Sequence, residues 1–133
     1  MLFVLKEFIM KNREKVKQQL RKRHKRRIRK KISGTPERPR LVVSRGNRNI
    51  TAQLVDDVSN RTLCMVSSVA GSYKAVKEST QGKLEVSKQV GLDVAKLALK
   101  RNIKKVVFDR SNCKYQGRVK MVAEGAREGG LEF

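Results

Sequence analysis

The stretch RLVVSRGNRNITAQLVDD, residues 40–57, decides the fold of this chain. Apolar and polar side chains alternate along both of its halves, and a period of two is typical of half-buried β-strands. The Gly46-Asn47 step between the halves is a turn signal, because both residue types accept the backbone angles of tight turns. The stretch is therefore predicted to form a β-hairpin.

Downstream of the hairpin, the pattern predicts a strand, a helix, a strand and a helix. Residues 62–69 alternate again, after a turn at residues 56–60. Residues 83–101 carry apolar side chains at helical spacing, with Ser79 or Thr80 as the predicted N-cap and Asn102 as a left-handed stop. Residues 103–109 are a short apolar run, predicted to be a strand buried on both faces. Residues 117–128 return to helical spacing.

This order predicts an α/β fold of the mixed α+β kind, with three antiparallel strands followed by helix, strand and helix. The connection from the third strand through the long helix to the fourth should be right-handed and should set the fourth strand parallel to a neighbour. We expect a mixed four-stranded sheet with helices packed on it. Residues 71–82 are polar and poorly patterned, and no element is predicted there.

A boundary separates this domain from the chain before it. Pro36 and Pro39 force extended backbone and end any preceding helix. We predict a basic arm and linker over residues 1–39, ordered on RNA, and a globular domain over residues 40–133. The net charge is +21, and 16 of the 33 Lys and Arg residues, but only 3 of the 12 acidic ones, lie at or before Arg40. Such a surplus favours polyanions, above all nucleic acid.

The densest charge in the arm is KQQLRKRHKRRIRKK, residues 17–31. No helix breaker interrupts residues 12–32, so a helix is predicted. Its apolar residues recur every four positions, and because four residues turn about 400°, the apolar stripe drifts about 40° at each step. A drifting line of single side chains suits neither a packed domain helix nor a membrane surface. We expect charge repulsion to leave the free arm largely disordered until a polyanion binds.

The first ten residues, MLFVLKEFIM, are apolar but do not match a secretory signal, in which the basic region precedes the apolar run. They are also too few to span a bilayer, and no membrane partner is predicted. We expect native translation to start at Met10, a hypothesis that an intact mass retaining residues 1–9 would reject.

The sequence does not predict a metal or cofactor site. Cys64 and Cys113 belong to no paired-cysteine motif, and His24 is the single histidine, so no usual zinc spacing can be assembled. Unpaired cysteines fit a reducing compartment such as the cytosol. We therefore expect no cofactor, no metal and no small-molecule substrate.

Asp56, Asp57 and Asp109 are the residues on which an enzyme hypothesis can be based, because metal-dependent nucleases place carboxylates on sheets. Against it, the Asp56-Asp57 pair enters an ordinary turn sequence, and Asp109 has Arg110 beside it. The domain also contains no histidine and no glycine-rich phosphate loop. We therefore predict that the protein is not an enzyme.

Base stacking is also an unsuitable mode of binding, since the chain has no Trp, two Tyr and four Phe. What remains is contact with phosphates and shape through Arg, Lys and polar groups. Two guanidinium groups and two amides meet at the hairpin tip. The loop DRSNCKYQGR, residues 109–118, offers further cations close to a helix N-terminus. These candidate residues are Arg45, Asn47, Arg48 and Asn49 at the tip, and Arg110, Lys114, Tyr115 and Arg118 in the loop.

Several stretches together resemble the bacterial ribosomal protein L18 family, the proteins of the large subunit that bind 5S rRNA. They are SGTPERPRLVVSRGNRNITAQLVDD, then TLCMVSSV, then IKKVVFDRSNCKYQGRVKMVAEGAREGGLEF. The resemblance covers residues 33–133 in order, with a basic arm before it. It implies a structural role: binding of 5S rRNA, attachment of that RNA to the 23S-type rRNA in the central protuberance, and contact with neighbouring ribosomal proteins there.

The resemblance also implies where RNA is bound and in which compartment. The protein would be cytoplasmic, in the ribosome, with an organellar ribosome left open. The predicted rRNA-binding residues are Arg21, Lys22, Arg23, Lys25, Arg26, Arg27, Arg29, Lys30 and Lys31 in the arm; Arg38 and Arg40 around the boundary; Arg45, Asn47, Arg48 and Asn49 in the hairpin; and Arg110, Tyr115, Gln116 and Arg118 in the later loop.

The chain departs from the family pattern in that loop. Ser111-Asn112-Cys113 stand where glycines and an aromatic residue are common, and Gln116 stands where a histidine is common. Two other classes compete with the ribosomal reading. A nucleic-acid-coating protein indifferent to sequence would bind duplex DNA and folded rRNA alike. A nuclease would show metal-dependent cleavage that is lost when Asp56 or Asp109 is changed to Asn.

Overall fold

A computed structural model describes residues 1–78 and 82–133, in two compact units, Met1–Lys31 and Ile32–Phe133. The predicted caps Ser79 and Thr80 lie outside the described residues. The predicted division into an arm and linker (residues 1–39), ordered on RNA, and a globular domain (residues 40–133) stays a prediction. The elements are α1 (Leu2–Lys31), β1 (Arg40–Arg45), β2 (Ile50–Asp56), β3 (Arg61–Ser67), a 3-10 turn (Gly71–Tyr73), α2 (Lys74–Lys77), α3 (Gly82–Lys100), β4 (Val107–Asp109) and α4 (Arg118–Glu128).

The first unit is one helix of 30 residues, and none of its residues is buried. The helix predicted over residues 12–32 is confirmed, and it begins ten residues earlier than predicted. Residues 2–11 contain no Gly or Pro, so nothing in their sequence interrupts the helical backbone. No described helix is long and apolar enough to cross a membrane.

In the second unit, the four strands lie in the order β3-β2-β1-β4. The predicted hairpin is confirmed, with β1 and β2 antiparallel and Arg45 opposite Ile50 beside the turn. β3 pairs antiparallel with β2, and β4 lies parallel to β1, as the crossover predicts. Asn102 has φ 60° just after α3, so the left-handed stop is confirmed as well.

The fourth strand is shorter than predicted. Only Val107–Asp109 pairs with β1, whereas Lys104 and Lys105 are exposed. Lys105 forms an isolated bridge to Glu132 instead, and the Val106 N–H donates to the Glu132 carbonyl at 3.1 Å. The C-terminal residues therefore occupy backbone positions that would otherwise extend β4. The prediction of a strand over residues 103–109 was wrong in its extent.

Helices α3 and α4 pack on the sheet and on each other around one core. The core collects the alternate residues of β1 and β2 together with the apolar sides of both helices. Its members with no exposed surface include Leu41, Val43, Ala52, Leu54, Val90, Val94, Val106, Val119 and Val122.

A short element that the sequence did not predict follows β3. The 3-10 turn and α2 fall within residues 71–82, which show no clear apolar period. One aromatic side chain holds this element in place: Tyr73 is 4% exposed, and its hydroxyl donates a hydrogen bond to the Asp93 carboxylate on α3. Burial, with Asp93 adding to it, raises the pKa of Tyr73 well above its usual range, so the hydroxyl stays a donor at neutral pH.

Glycines set the close approach of α3 and α4. A Cβ added at Gly91 would lie 2.3 Å from the Val122 carbonyl oxygen, and one added at Gly125 would lie 2.3 Å from the Lys88 carbonyl oxygen. Both of these neighbours are backbone atoms, so a side chain at either position would have to push the helices apart.

We expect Gly91→Ala to lower the free energy of unfolding by about 1 to 3 kcal/mol, the range typical of overpacking a tight core. Urea unfolding followed by circular dichroism measures the change. Gly71→Ala is the matched control, since a Cβ at Gly71 has nothing within 4 Å. Equal stability of the two variants would contradict this account of the α3–α4 contact.

Candidate nucleic-acid interface

Helix α1 presents positive charge on most of its circumference. With about 100° per residue, the nine cations between Arg21 and Lys31 cover roughly 280°, and His24 and Ile28 occupy the remaining sector. Many of the cations are also four residues apart, as in the row Arg21, Lys25 and Arg29, and like charges at that spacing destabilise a free helix. A polyanion removes this repulsion and finds cations on more than one side of the helix.

In the second unit, the parallel pairing of β1 and β4 brings sequence-distant segments to one end of the sheet. Both strands end there, so the hairpin tip at residues 46–49 and the loop at residues 110–117 share that end. Because β3 runs antiparallel to β2, β3 also ends there, close to where β2 begins. We call this region the tip end. It is the only part of the sheet where most of the predicted hairpin and loop residues can act together.

The hairpin tip is a four-residue turn closed by its own backbone, with the Gly46 N–H donating to the Asn49 carbonyl at 2.8 Å. Arg45, Asn47 and Arg48 are exposed there. Asn49 is half-buried, and its side-chain oxygen accepts a hydrogen bond from the Ser68 hydroxyl at 3.2 Å. Asn49 therefore holds the shape of the turn, whereas the other three side chains project into solvent.

Arg118 joins the hairpin tip from the start of α4. Its Nη2 donates to the Gly46 carbonyl at 2.9 Å. The preceding residue, Gly117, has φ 60° and ψ −127°, a combination that side-chain-bearing residues avoid. The structure thus brings Arg118 to the hairpin turn, a contact that the sequence analysis did not predict.

Two lysines that the sequence analysis did not select also lie at the tip end. The Nζ of Lys77 on α2 donates to the Asn49 side-chain oxygen at 3.2 Å, and the Nζ of Lys83 on α3 donates to the Asn47 carbonyl at 3.3 Å. No local motif distinguishes them from the other lysines of the chain. Only the packing of α2 and α3 beside the hairpin reveals them.

In the loop after β4, residues 110–117, some side chains are exposed and others contact the strand. Arg110, Lys114 and Gln116 are exposed. Tyr115 is 39% exposed, and its ring forms a T-shaped contact with Phe108, with 6.0 Å between centroids. Ser111 has φ 59°, a conformation that glycine adopts without strain, and its N–H donates to the Asp109 carboxylate at 2.7 Å.

Arg38 and Arg40 lie at the other end of the sheet, where β1 begins. Arg38 is exposed. Arg40 is 5% exposed, and its guanidinium donates to Asp57 at 3.0 Å and to Asp109 at 2.7 Å. Burial alone lowers the pKa of Arg40, but hydrogen bonds and charge attraction from both carboxylates outweigh it, and the pKa is raised. We therefore leave Arg40 out of the interface, since its donors are occupied inside the domain.

The three aspartates of the nuclease hypothesis, Asp56, Asp57 and Asp109, also have partners inside the domain. Asp57 and Asp109 bind Arg40, and Asp56 accepts hydrogen bonds from the Val58 N–H at 3.0 Å and the Ser59 hydroxyl at 2.7 Å. Within residues 1–78 and 82–133, no group of three or more His, Cys, Asp or Glu side chains is arranged to hold a metal ion. The two cysteines are free, and burial raises the pKa of the Cys64 thiol.

Comparison with known proteins places these features in one family. Residues 15–133 match the family model described as "Ribosomal L18 of archaea, bacteria, mitoch. and chloroplast". The large ribosomal subunit protein uL18 of Thermotoga petrophila is 50% identical over 121 residues, covering 91% of this chain and 98% of that relative. The uL18 proteins of Nitratidesulfovibrio vulgaris and Herpetosiphon aurantiacus are 51% and 52% identical, over 88% and 86% of this chain and 97% and 94% of their own lengths.

Proposed function

The chain belongs to the ribosomal L18 family, and on this premise we propose that it binds 5S rRNA and helps attach it to the 23S-type rRNA in the central protuberance. As a member of this family, it is a structural constituent of the large subunit of the cytoplasmic ribosome, and its partners are rRNA and ribosomal proteins. The neighbouring ribosomal proteins of the central protuberance are its proposed protein contacts. The contacts to RNA are proposed for the arm and for the tip end.

The observation that carries this proposal is the presence of two basic surfaces in two separate units of the chain. One is α1, with cations on most of its sides. The other is the tip end, where Arg118 contacts the turn that carries Arg48, and Arg45 is exposed beside that turn. A molecule that joins two RNAs needs more than one contact surface, and a rigid surface adds recognition of shape to the non-specific attraction of charge.

The proposal contains no catalytic step. Asp57 and Asp109 neutralise a buried arginine, and Asp56 accepts hydrogen bonds within its own turn, so each of these carboxylates has a structural role. Changing Asp56 to Asn is accordingly expected to weaken the hydrogen bonds of the turn. We expect no metal-dependent nuclease activity that this change could abolish.

Competition binding tests the proposal. Labelled 5S rRNA is bound in about 0.2 M salt with magnesium, and unlabelled 5S rRNA, tRNA and duplex DNA are added as competitors. We expect 5S rRNA to displace the label at a concentration at least about tenfold lower than the other two, because phosphate contacts common to all three competitors are weakened at this salt concentration. Equal displacement by all three would reject the proposal in favour of a nucleic-acid-coating protein.

A further inference from the structure

One recess at the tip end is surrounded by four cations from four different elements. Arg48 comes from the hairpin, Lys77 from α2, Lys83 from α3 and Arg118 from α4. The floor of the recess is formed by residues that are at most 3% exposed: Ile50, Ser68, Val86 and Ser87. The floor is therefore part of the packed domain, and the cations stand on a surface that the fold holds in place. We call these four residues the recess cations.

Neutral oxygens, not carboxylates, orient three of the recess cations. Lys77 donates to the Asn49 side-chain oxygen at 3.2 Å, Lys83 to the Asn47 carbonyl at 3.3 Å, and Arg118 to the Gly46 carbonyl at 2.9 Å. In the described part of the chain, no carboxylate forms an ion pair with any of the four, since the ion pairs there involve Arg40, Lys88, Lys96 and Lys120. The turn thus positions the charges without neutralising them.

This arrangement leaves donors available for an anion. A lysine ammonium has three donors and an arginine guanidinium five, and each of these three side chains uses one in the contact described. Like charges gathered in one recess repel each other, and an anion in the recess would turn that repulsion into attraction. An oxyanion with several acceptor oxygens fits best, because it can accept from several cations at once.

We propose that a backbone phosphate of rRNA binds at the mouth of the recess, whose volume of about 20 Å³ is too small to enclose it, with Lys77 and Lys83 as contact residues beside Arg48 and Arg118. This proposal rests on the proposed function in taking rRNA as the ligand, and it adds two lysines and a defined phosphate position to it. The lysines act as point charges, and the guanidinium of Arg118 adds directional hydrogen bonds. A phosphate at this position would fix the hairpin tip relative to the RNA backbone without reading its sequence.

The test is a double variant, Lys77→Gln with Lys83→Gln, compared with the charge-matched control Lys100→Gln with Lys104→Gln. The control removes two exposed lysines, one at the C-terminal end of α3 and one between α3 and β4, away from the recess. The measurement is the affinity for 5S rRNA at several salt concentrations, and the slope of log affinity against log salt counts phosphate contacts. Unfolding curves of both variants check that the domain is intact.

For the recess variant, we expect a slope smaller by about 0.7 to 0.9 and an affinity about tenfold lower at 0.2 M salt, while the control stays close to the unchanged protein. Lys77→Arg with Lys83→Arg should restore both values. Identical slopes for the recess variant and the unchanged protein would overturn the inference, and so would equal losses in the two variants. If tRNA competes as well as 5S rRNA, the proposed function fails, but the slopes measured on tRNA still decide whether the recess binds phosphate.

Discussion

Removal of residues 1–31 is expected to weaken 5S rRNA binding by at least about 100-fold at 0.2 M salt. Residues 13–31 contain 12 Lys and Arg, and if half of them contact phosphates, the slope of log affinity against log salt falls by about 4 to 5. The remaining unit, Ile32–Phe133, should keep its cooperative unfolding, because no residue of α1 is buried. Filter binding across a salt series measures the first effect, and circular dichroism the second.

The control for this truncation is a chain that lacks only residues 1–9. That segment contains one lysine and one glutamate, so its net contribution to the charge is zero apart from the terminus. We expect this shorter truncation to leave affinity and slope unchanged. If the truncation of residues 1–31 also left the affinity unchanged at matched salt, the arm would have no role in binding, and the tip end would have to account for all of it.

Replacing Arg40 by Met is expected to lower the free energy of unfolding by about 3 to 5 kcal/mol. The Asp109 side chain is 5% exposed and accepts from Arg40 at 2.7 Å, so the variant leaves a buried carboxylate without its cation. Asp57, which also accepts from the Gly34 N–H at 2.7 Å, loses the same cation. Urea unfolding at neutral pH measures the change.

A double variant separates the unpaired charge from the lost volume. Arg40→Met with Asp109→Leu removes the cation together with the more buried of its two carboxylates, and Asp57, whose side chain is 29% exposed, remains partly solvated. Replacing a buried ion pair by apolar side chains is often close to neutral. We expect it to recover a large part of the lost stability. A double variant as unstable as Arg40→Met alone would argue that the stability comes from the shape of the Arg40 side chain. The folded Arg40→Met variant should bind 5S rRNA with unchanged affinity, because Arg40 lies outside the proposed interface.

Much of the fold follows from local sequence patterns. The alternation of residues 40–57 and the turn at Gly46-Asn47 predict the hairpin, and the crossover rule predicts that β4 is parallel to a neighbouring strand, which the structure identifies as β1. These predictions work because strand and helix periods reflect which side of an element is buried. The prediction fails where the local pattern is weak. Gly71–Tyr73 and α2 are held by contacts with distant residues, among them the hydrogen bonds from Tyr73 to Asp93 and from Lys77 to Asn49, which no periodicity signals.

The sequence by itself determined that the protein carries a dense basic arm, a hairpin domain and a surplus of charge suited to RNA, because charge density and hydrophobic period are properties of neighbouring residues. Only the tertiary structure decided which cations are available. Arg40 is enclosed between two aspartates, whereas Lys77 and Lys83 converge on the hairpin from different helices. The two outcomes differ because the fold places different oxygens beside each cation. Carboxylates beside an arginine or lysine make it a structural ion-pair partner, whereas neutral oxygens leave it available as an interface residue. In both cases the oxygens come from distant parts of the chain.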